Sequence, residues 1–172
     1  MSAISALKEL LDIVPQVGRV EWIGVSPARR ARIVPLKEAE AELGSGLSGD
    51  HHAANGSSKR QVTLIQAEHL PVVGQLMGKD TVDPSLLRRN IVVSGVNLLS
   101  FKTARFQIGD VILQGTGPCA PCSLMEQNLG PGGYSAMRGH GGITSIVTKA
   151  GTIRIGDEIR FLELEKIEEN PV

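Results

Sequence analysis

The chain has 172 residues, of which 41% are hydrophobic and 21% charged, and its formal net charge is zero. This length predicts one domain whose core needs neither a disulfide nor a structural metal. The zero net charge and the 3% aromatic content argue against a nucleic-acid partner, because proteins that bind nucleic acids carry a positively charged surface or aromatic side chains that stack on the bases. No apolar run is long enough to span a membrane, and two cysteines without an export signal predict a cytoplasmic protein.

The first third of the chain passes from a helical pattern to strands. Residues 1–17 predict an amphipathic helix, because apolar side chains recur at helical spacing from Ile4 to Val14. Residues 18–25 are rich in β-forming side chains and predict a strand. The stretch PLKEAEAEL, residues 35–43, predicts a short helix from its composition.

The rest of the chain alternates short strands with turns. Residues 44–60 are too small and polar to pack, so they predict a loop, and long loops inside a domain are often functional. The later segments predict strands at 60–66 and 88–95, and two strands within 104–117 around the turn Ile108-Gly109-Asp110. They also predict a hairpin with a further strand at 143–163, short helices at 67–78 and 121–130, and a glycine-rich loop at 131–142. Many short strands with few helices predict a mainly β fold of the α+β type, a barrel or a sandwich.

The sequence GSGLSG, residues 44–49, matches the G-x-G-x-x-G pattern of dinucleotide-binding proteins. That function requires a strand before the glycines and a helix after them. Here a stretch with helical composition precedes the glycines, and the helix-poor sequence DHHAANGSS follows them. We therefore reject a dinucleotide site.

Asp50, His51 and His52 follow this loop directly. A carboxylate and two imidazoles could ligate a metal ion. The alternative is a solvated polar loop in which the aspartate stabilises a turn.

Cys119 and Cys122 form a C-x-x-C pair that allows four interpretations. A structural zinc site would need a second ligand pair, which the sequence lacks, and a redox pair would favour a βαβ context. A structural disulfide is uncommon in the cytosol. The fourth interpretation is a single thiolate that acts as a metal ligand or a nucleophile. If Cys122 begins the helix at 121–130, the helix N-terminus would stabilise its thiolate.

Arg88, Arg89 and Asn90 stand where a strand is predicted to begin. Arginine side chains bind phosphate in a bidentate manner, and asparagine offers both a donor and an acceptor. The alternative, and the default for the arginine pair alone, is that these are surface arginines on a strand edge. The two glycine-rich loops add further positive or titratable side chains: Lys59, Arg60, Arg138 and His140. Together with a thiol at a helix start, these groups would suit an anionic ligand that carries a thiophilic metal.

The order of six short motifs resembles the MOSC domain family, whose domain stands at the C-terminus of molybdenum-cofactor sulfurases. The motifs are GLSGDHH, RQVTLIQAE, LRRNIVVSGVNLL, FQIGDVIL, GTGPCAPCSLME and GTIRIGDEI, and the resemblance runs from about Gly18 to about Leu162. The resemblance implies a stand-alone member with a strand-rich, barrel-like domain at 18–165 and short peripheral helices. The N-terminal helix at 1–17 would precede this domain, and a C-terminal tail at 166–172 would follow it.

The resemblance also implies the ligand, which would be the molybdenum cofactor, a phosphorylated pterin dithiolene. Cys122, in the Pro121-Cys122 pair, matches the family's molybdenum ligand. A metal already held by two cofactor sulfurs needs only one protein thiolate, which favours the single-thiolate interpretation of the pair. The implied cofactor-binding residues are Gly49, Asp50, His51, His52, Arg60, Arg88 and Asn90.

Two functions from different classes follow from the resemblance. The first is a reductase of N-hydroxylated small molecules, which would need an external electron donor and a proton donor, with His51, His52 and His140 as candidates. The second is a carrier or sulfur-relay module in cofactor maturation, served by a separate pyridoxal-phosphate cysteine desulfurase. A third function, a small dithiol redox protein, would require both cysteines. None of these needs nucleic acid or a membrane.

Overall fold

A computed structural model describes residues 3–54 and 58–164, so the predicted tail at 166–172 lies outside the described residues. Within these ranges the chain forms four short α-helices and eleven strands. The helices are α1 (Ala3–Leu11), α2 (His69–Leu76), α3 (Ser123–Leu129) and α4 (Gly133–Met137). The strands are β1 (Val17–Val25), β2 (Val34–Leu36), β3 (Glu38–Glu42), β4 (Gly46–Leu47), β5 (Val62–Gln66), β6 (Ile91–Ser94), β7 (Ala104–Ile108), β8 (Val111–Pro118), β9 (Ile143–Lys149), β10 (Gly151–Arg154) and β11 (Glu158–Leu164).

Seven strands close into a barrel. Their order is β11-β7-β8-β9-β5-β6-β1, and β1 pairs back onto β11, so the ring of hydrogen bonds is complete. Only β5 and β6 are parallel among these pairs of the described chain, which makes the barrel mixed. Strand β2 adds to β1 outside the ring, and β10, β3 and β4 form a separate small sheet. The predicted mainly β, barrel-like fold is confirmed.

The apolar side chains divide into two clusters. The larger cluster fills the barrel, as the alternation along β7 shows: Ala104, Phe106 and Ile108 are buried, and the residues between them are partly exposed. The smaller cluster packs α2, α3 and α4 against the outer face of β5 and β6, with Ile65 and Val92 among its members. Because strands β5 and β6 are covered on both faces, they read as continuous apolar runs. This second cluster fixes α3, and with it Cys122, against the barrel wall.

The helix predicted at 35–43 is wrong. Residues Glu38–Glu42 form strand β3, in which Ala39 and Ala41 are buried and the three glutamates are exposed. Alanine and glutamate favour helices, but pairing of β3 with β10 buries one face of an alternating sequence. A strand therefore does precede GSGLSG, yet a dinucleotide site still fails, because this segment forms the turn after β3 and strand β4 itself, and the next α-helix begins only at His69.

Three other elements differ from expectation. The predicted hairpin within 143–163 is wrong, because β9 pairs with β8 and β5 whereas β10 pairs with β3. The glycine-rich segment 131–142 contains helix α4. Helix α2 runs through Pro71 without a break, since Pro71 lies in the first turn, where its missing N–H has no intrahelical partner. None of the helices in the described ranges is long and apolar enough to cross a membrane.

Candidate functional site

A cavity of about 330 Å³ brings together seven of the eight predicted site residues. It lies where the loop after β1, the segment after β4, the residues before β6 and the start of α3 meet. We call it the arginine cavity, because five arginines line it: Arg29, Arg30, Arg60, Arg88 and Arg89. The seven predicted residues in its wall are Asp50, His51, His52, Arg60, Arg88, Asn90 and Cys122, whereas Gly49 is outside the lining.

Asp50 organises one wall of this cavity. One carboxylate oxygen accepts hydrogen bonds from the Ser26 N–H and the Asn90 side-chain amide, both at 2.9 Å. The other oxygen accepts from the His52 N–H at 3.0 Å and from its Nδ1–H at 2.8 Å. Burial alone would raise the pKa of Asp50, but the bonds from His52 and Ser26 outweigh it and hold the pKa at about 2.

The ligand atoms of Asp50, His51 and His52 lie within 4.8 Å of one another, which is close enough for a metal ion. Both Asp50 oxygens already accept two hydrogen bonds each, so neither has a free lone pair directed at a metal. The geometry favours the alternative in which Asp50 orders the loop.

The rings of His51 and His52 lie against each other in the cavity wall, with their planes tilted by 41°. Their ring centroids lie 3.9 Å apart. His51 Nδ1 lies 3.2 Å from the Ser26 carbonyl oxygen, and His52 Nδ1 is bound to Asp50. Burial lowers the pKa of His51, and the neighbouring His52 lowers it further. With both Nδ1 atoms engaged, Nε2 is the ring nitrogen left on each histidine for a ligand or a proton transfer.

Asn90 has no free hydrogen-bonding group on its side chain. Its oxygen accepts from the Thr63 N–H at 3.0 Å and from the Thr63 hydroxyl at 3.1 Å. Its amide donates to the Gly24 carbonyl at 3.2 Å and to Asp50. Asn90 thus ties β1 and β5 to Asp50, and its place in the site is that of a positioning residue.

Arg88 and Arg89 point to different partners. Arg88 adopts a left-handed backbone conformation with φ of 56°, and it donates to the Ala31 carbonyl at 2.8 Å and the Ser26 hydroxyl at 3.1 Å. It therefore shapes the loop after β1. Arg89 is 1% exposed and donates only to carbonyls of the described chain, those of Leu87, Gly141 and Cys119. Burial lowers the pKa of Arg89.

Arg60 carries an unsatisfied group. Its Nε atom is buried, and no hydrogen-bond partner for it exists among the described residues. A buried donor without a partner is costly, so this atom is suited to an acceptor that a ligand would bring.

Sequence reasoning missed Ser26, Arg29 and Arg30, which also line the cavity. The run ARRAR in the loop after β1 was the available signal for the two arginines. Arg89 also lines the cavity, although the resemblance assigns only Arg88 of this arginine pair to the cofactor.

The two cysteines occupy different environments. Both are free thiols, Cys119 is 2% exposed and Cys122 is exposed. Cys122 is the N-cap residue of α3, which begins at Ser123 rather than at residue 121. Only Cys122 lines the arginine cavity, whereas Cys119 lines a second cavity together with His140. His140, the third predicted proton donor, is therefore in the wall of a different cavity from His51 and His52.

The chain belongs to the MOSC domain family, since the model of the MOSC domain matches residues 49–160. The resemblance of the six motifs to this family is confirmed. No curated protein matches the chain.

Solved structures show the same fold. The YuaD protein from Bacillus subtilis is 20% identical with a TM-score of 0.76, and the match covers 89% of this chain and 100% of that one. YiiM from Geobacillus stearothermophilus is 16% identical with a TM-score of 0.65, covering 85% of this chain and 75% of that one. YiiM from Escherichia coli is 15% identical with a TM-score of 0.66, covering 86% and 71%. At these identities the likeness concerns the fold alone.

Proposed function

We propose that this protein binds the molybdenum cofactor in the arginine cavity, with Cys122 as the molybdenum ligand, and reduces N-hydroxylated small molecules. The MOSC domain family is associated with this cofactor. The observation that carries the proposal is an exposed thiol in the wall of a cavity that five arginines line.

The charges of the cavity fit an anionic ligand. Among the described residues that line it, Asp50 is the only carboxylate, and its hydrogen bonds are all made within the chain. The arginine charges are therefore left for a ligand, and the orphaned Nε of Arg60 is one donor that a phosphate could satisfy.

Each residue has a role that follows from its contacts. Arg88 fixes the loop that carries Arg29 and Arg30, so that the two exposed arginines face the same cavity. Asn90 and Asp50 hold the His52 ring in place. The Nε2 atoms of His51 and His52 are the groups that would deliver protons to a substrate.

The cofactor, when bound, would supply two-electron redox chemistry at a metal that Cys122 also ligates. In the overall reaction the N–O bond of the substrate breaks, two electrons and two protons are taken up, and the oxygen leaves as water. The electrons come from an external donor, because the described chain has no cysteine set for an iron–sulfur cluster. His51 and His52, which line the same cavity as Cys122, would supply the protons.

A carrier or sulfur-relay function in cofactor maturation is the second candidate. The exposed position of Cys122 favours it, because an accessible thiol at a cavity mouth could exchange sulfur with a separate cysteine desulfurase. The two candidates share the cofactor site and differ in turnover.

The test is the molybdenum and pterin content after co-expression with active cofactor synthesis. We expect stoichiometric molybdenum in the wild type and in Cys119→Ser, and at least a tenfold loss in Cys122→Ser. Cys119→Ser is the matched control, because it removes the other thiol of the same C-x-x-C pair. Molybdenum in Cys122→Ser equal to wild type, or no molybdenum in any form, would refute the proposal.

A turnover assay with an artificial electron donor separates the two functions. Reduction of benzamidoxime by the molybdenum-loaded protein supports the reductase. Cofactor binding without turnover supports the carrier. A dithiol redox protein would instead lose its activity in Cys119→Ser as well as in Cys122→Ser.

A further inference from the structure

A cleft of about 450 Å³ opens beside the arginine cavity. We call it the loop cleft, because residues 30–33, in the loop after β1, line one side of it. The other side is formed by Ser85, Leu86, Arg88 and Asn128. Arg30, Ile33 and Arg88 line both the loop cleft and the arginine cavity, so the two openings adjoin. Arg32 lines the loop cleft and has no part in the cofactor site proposed above.

The loop after β1 carries a local excess of positive charge. Its three exposed arginines are Arg29, Arg30 and Arg32. None of them forms an ion pair with a carboxylate of the described chain, whereas three arginines on strands do so: Arg105, Arg154 and Arg160. No acidic residue is among the described residues that line the loop cleft. Because the formal net charge of the whole chain is zero, the excess belongs to this surface and not to the protein as a whole.

Hydrogen bonds within the chain hold this loop in one conformation. The Ala31 N–H donates to the Ala28 carbonyl at 3.0 Å and closes a turn, in which Arg30 has φ of 64°. The Ser26 hydroxyl donates to the Ala28 carbonyl, and Arg88 donates to the Ala31 carbonyl, both at 2.8 Å. A left-handed arginine is strained and persists only where its surroundings fix it. The loop is therefore preorganised, which lowers the entropic cost of binding a partner.

The composition of the loop cleft favours a protein over a nucleic acid. No aromatic side chain on which a base could stack is among the described residues that line it. Leu86 is 37% exposed and Ile33 is half-buried, so the arginines border an apolar surface. Protein interfaces combine an apolar centre with a polar rim, and electron-transfer complexes use small interfaces that opposite charges steer.

The proposed reduction takes up two electrons from an external donor, since the described chain has no cysteine set for a cluster of its own. These electrons are needed at Cys122, which is exposed and lines the adjoining arginine cavity. A carrier docked on the loop cleft would lie at the side of that opening.

We propose that the loop after β1 and the loop cleft form the docking surface for a small electron-carrier protein with an acidic face. Carboxylates of the carrier pair with Arg32 and its neighbours on the loop, and this places the carrier's redox centre beside the arginine cavity. The carrier is oxidised and gives up two electrons for each N–O bond that breaks. That the partner carries electrons rests on the proposed function, whereas the binding of an acidic protein to this surface does not.

The first experiment uses cofactor-free protein, so it does not depend on molybdenum. A plant-type ferredoxin, which is a small acidic electron carrier, is added to isotope-labelled protein, and the backbone amide resonances are followed by NMR. We expect the resonances of residues 29–33 and 85–88 to shift at low salt and to return when the salt is raised to about 0.5 M. Cytochrome c, a small basic electron carrier, should leave them in place.

Three variants locate the contact. Arg32→Glu should weaken ferredoxin binding at least tenfold, and Arg32→Lys, which keeps the charge, should stay within about threefold of the wild type. The control is Arg19→Glu, the same reversal of charge. Arg19 is exposed, forms no ion pair within the described chain, and lies near the other end of β1. We expect its ferredoxin binding to equal that of the wild type.

The same variant is then tested in turnover with the molybdenum-loaded protein. Arg32→Glu should reduce benzamidoxime at least tenfold more slowly with reduced ferredoxin, and as fast as the wild type with reduced methyl viologen, a small donor that needs no docking surface. Equal slowing with both donors would contradict a docking role for Arg32.

The proposal would be overturned by the absence of ferredoxin binding, by shifts confined to other surfaces, by equal losses in Arg32→Glu and Arg19→Glu, or by tighter binding of single-stranded DNA than of ferredoxin. Because the binding readout needs no cofactor, such a failure is separate from a failure of the molybdenum proposal, which the metal content of Cys122→Ser decides.

Discussion

The arginine cavity and the histidine cavity, which His69 and His140 line, lie beside the same cysteine-bearing segment, yet they leave different polar groups without partners. In the arginine cavity, Asp50 and Asn90 are fully hydrogen-bonded within the chain, so the wall is rigid and the surplus is positive charge. In the histidine cavity, His69 and His140 keep buried nitrogens without partners. The open group of the first cavity is therefore an arginine Nε atom beside a surplus of positive charge, and those of the second are two imidazole nitrogens.

Arg89 connects the two cavities. Its guanidinium lines the arginine cavity, and the carbonyls that it binds at Cys119 and Gly141 belong to residues of the histidine cavity. Four substitutions show how far each cavity depends on the contacts of its wall.

The largest effect is expected for Arg89→Met. The change leaves the carbonyls of Leu87, Gly141 and Cys119 without their donor. Because each orphaned buried carbonyl costs about 1–3 kcal/mol, we expect the free energy of unfolding to fall by roughly 3 kcal/mol or more. Urea denaturation measures it. The control is Arg138→Met, at an exposed position, and its free energy of unfolding should stay within about 0.5 kcal/mol of the wild-type value. An Arg89→Met variant as stable as this control would show that the link between the cavities is dispensable.

A second effect concerns the wall of the histidine cavity. Gly142 has φ of +79°, and a Cβ atom there would overlap the Leu64 carbonyl oxygen. We expect Gly142→Ala to cost about 2–4 kcal/mol, from backbone strain and overpacking together. Gly139→Ala is the matched control, because its φ of +78° is similar but nothing lies within 4 Å, and it should cost only about 1 kcal/mol. Equal costs for the two variants, measured by thermal or urea unfolding, would contradict the tight packing.

Asp50→Asn tests the internal bonds of the arginine cavity. The folded-state pKa of Asp50 is about 2 and the ordinary value is 3.8, a difference worth about 2 kcal/mol at pH 7. Because the folded pKa is depressed, this stability is present above pH 3.8 and is lost as the pH falls through 3.8 towards 2. The difference in unfolding free energy between the wild type and Asp50→Asn should therefore become smaller as the pH falls from 3.8 towards 2.

The control for this change is Asp83→Asn. Asp83 is an exposed N-cap that accepts a bond from the Ser85 N–H, and asparagine caps a helix about as well as aspartate. The unfolding free energy of Asp83→Asn should stay within about 0.5 kcal/mol of the wild-type value throughout the pH series. If the stability difference between Asp50→Asn and the wild type did not change between about pH 6 and about pH 2, an interaction other than the ionisation of Asp50 would account for that difference.

The smallest effect is expected for ligand retention in Arg60→Met. Removing the orphaned donor should weaken retention of the cofactor about tenfold, equivalent to about 1.4 kcal/mol, without destabilising the fold. Pterin content after gel filtration measures it, with Arg138→Met in the other cavity as the control. Equal losses in both variants would indicate a general charge effect instead of a contact in the arginine cavity.

Local patterns in the sequence were sufficient for the elements whose neighbours in sequence are also neighbours in space. The turn Ile108-Gly109-Asp110 joins β7 to β8 as predicted, because the two strands pair directly across it. Strands β1, β5 and β6 follow from their β-branched and apolar runs. The motif order was also sufficient to name seven residues that line one cavity, although they span Asp50 to Cys122.

Long-range pairing decided what the sequence could not. The stretch EAEAE has a helical composition, and only its pairing with β10, more than a hundred residues away, makes it a strand. His69 and His140 are 71 positions apart and follow no shared motif, so their meeting depends on the packing of α2 beside α4. The sequence by itself determined the strand-rich class and seven residues of the arginine cavity, because periodicity and motifs are local. Tertiary structure decided which buried groups find partners, because hydrogen bonds such as those of Asp50, Asn90 and Arg89 form only when distant segments pack together.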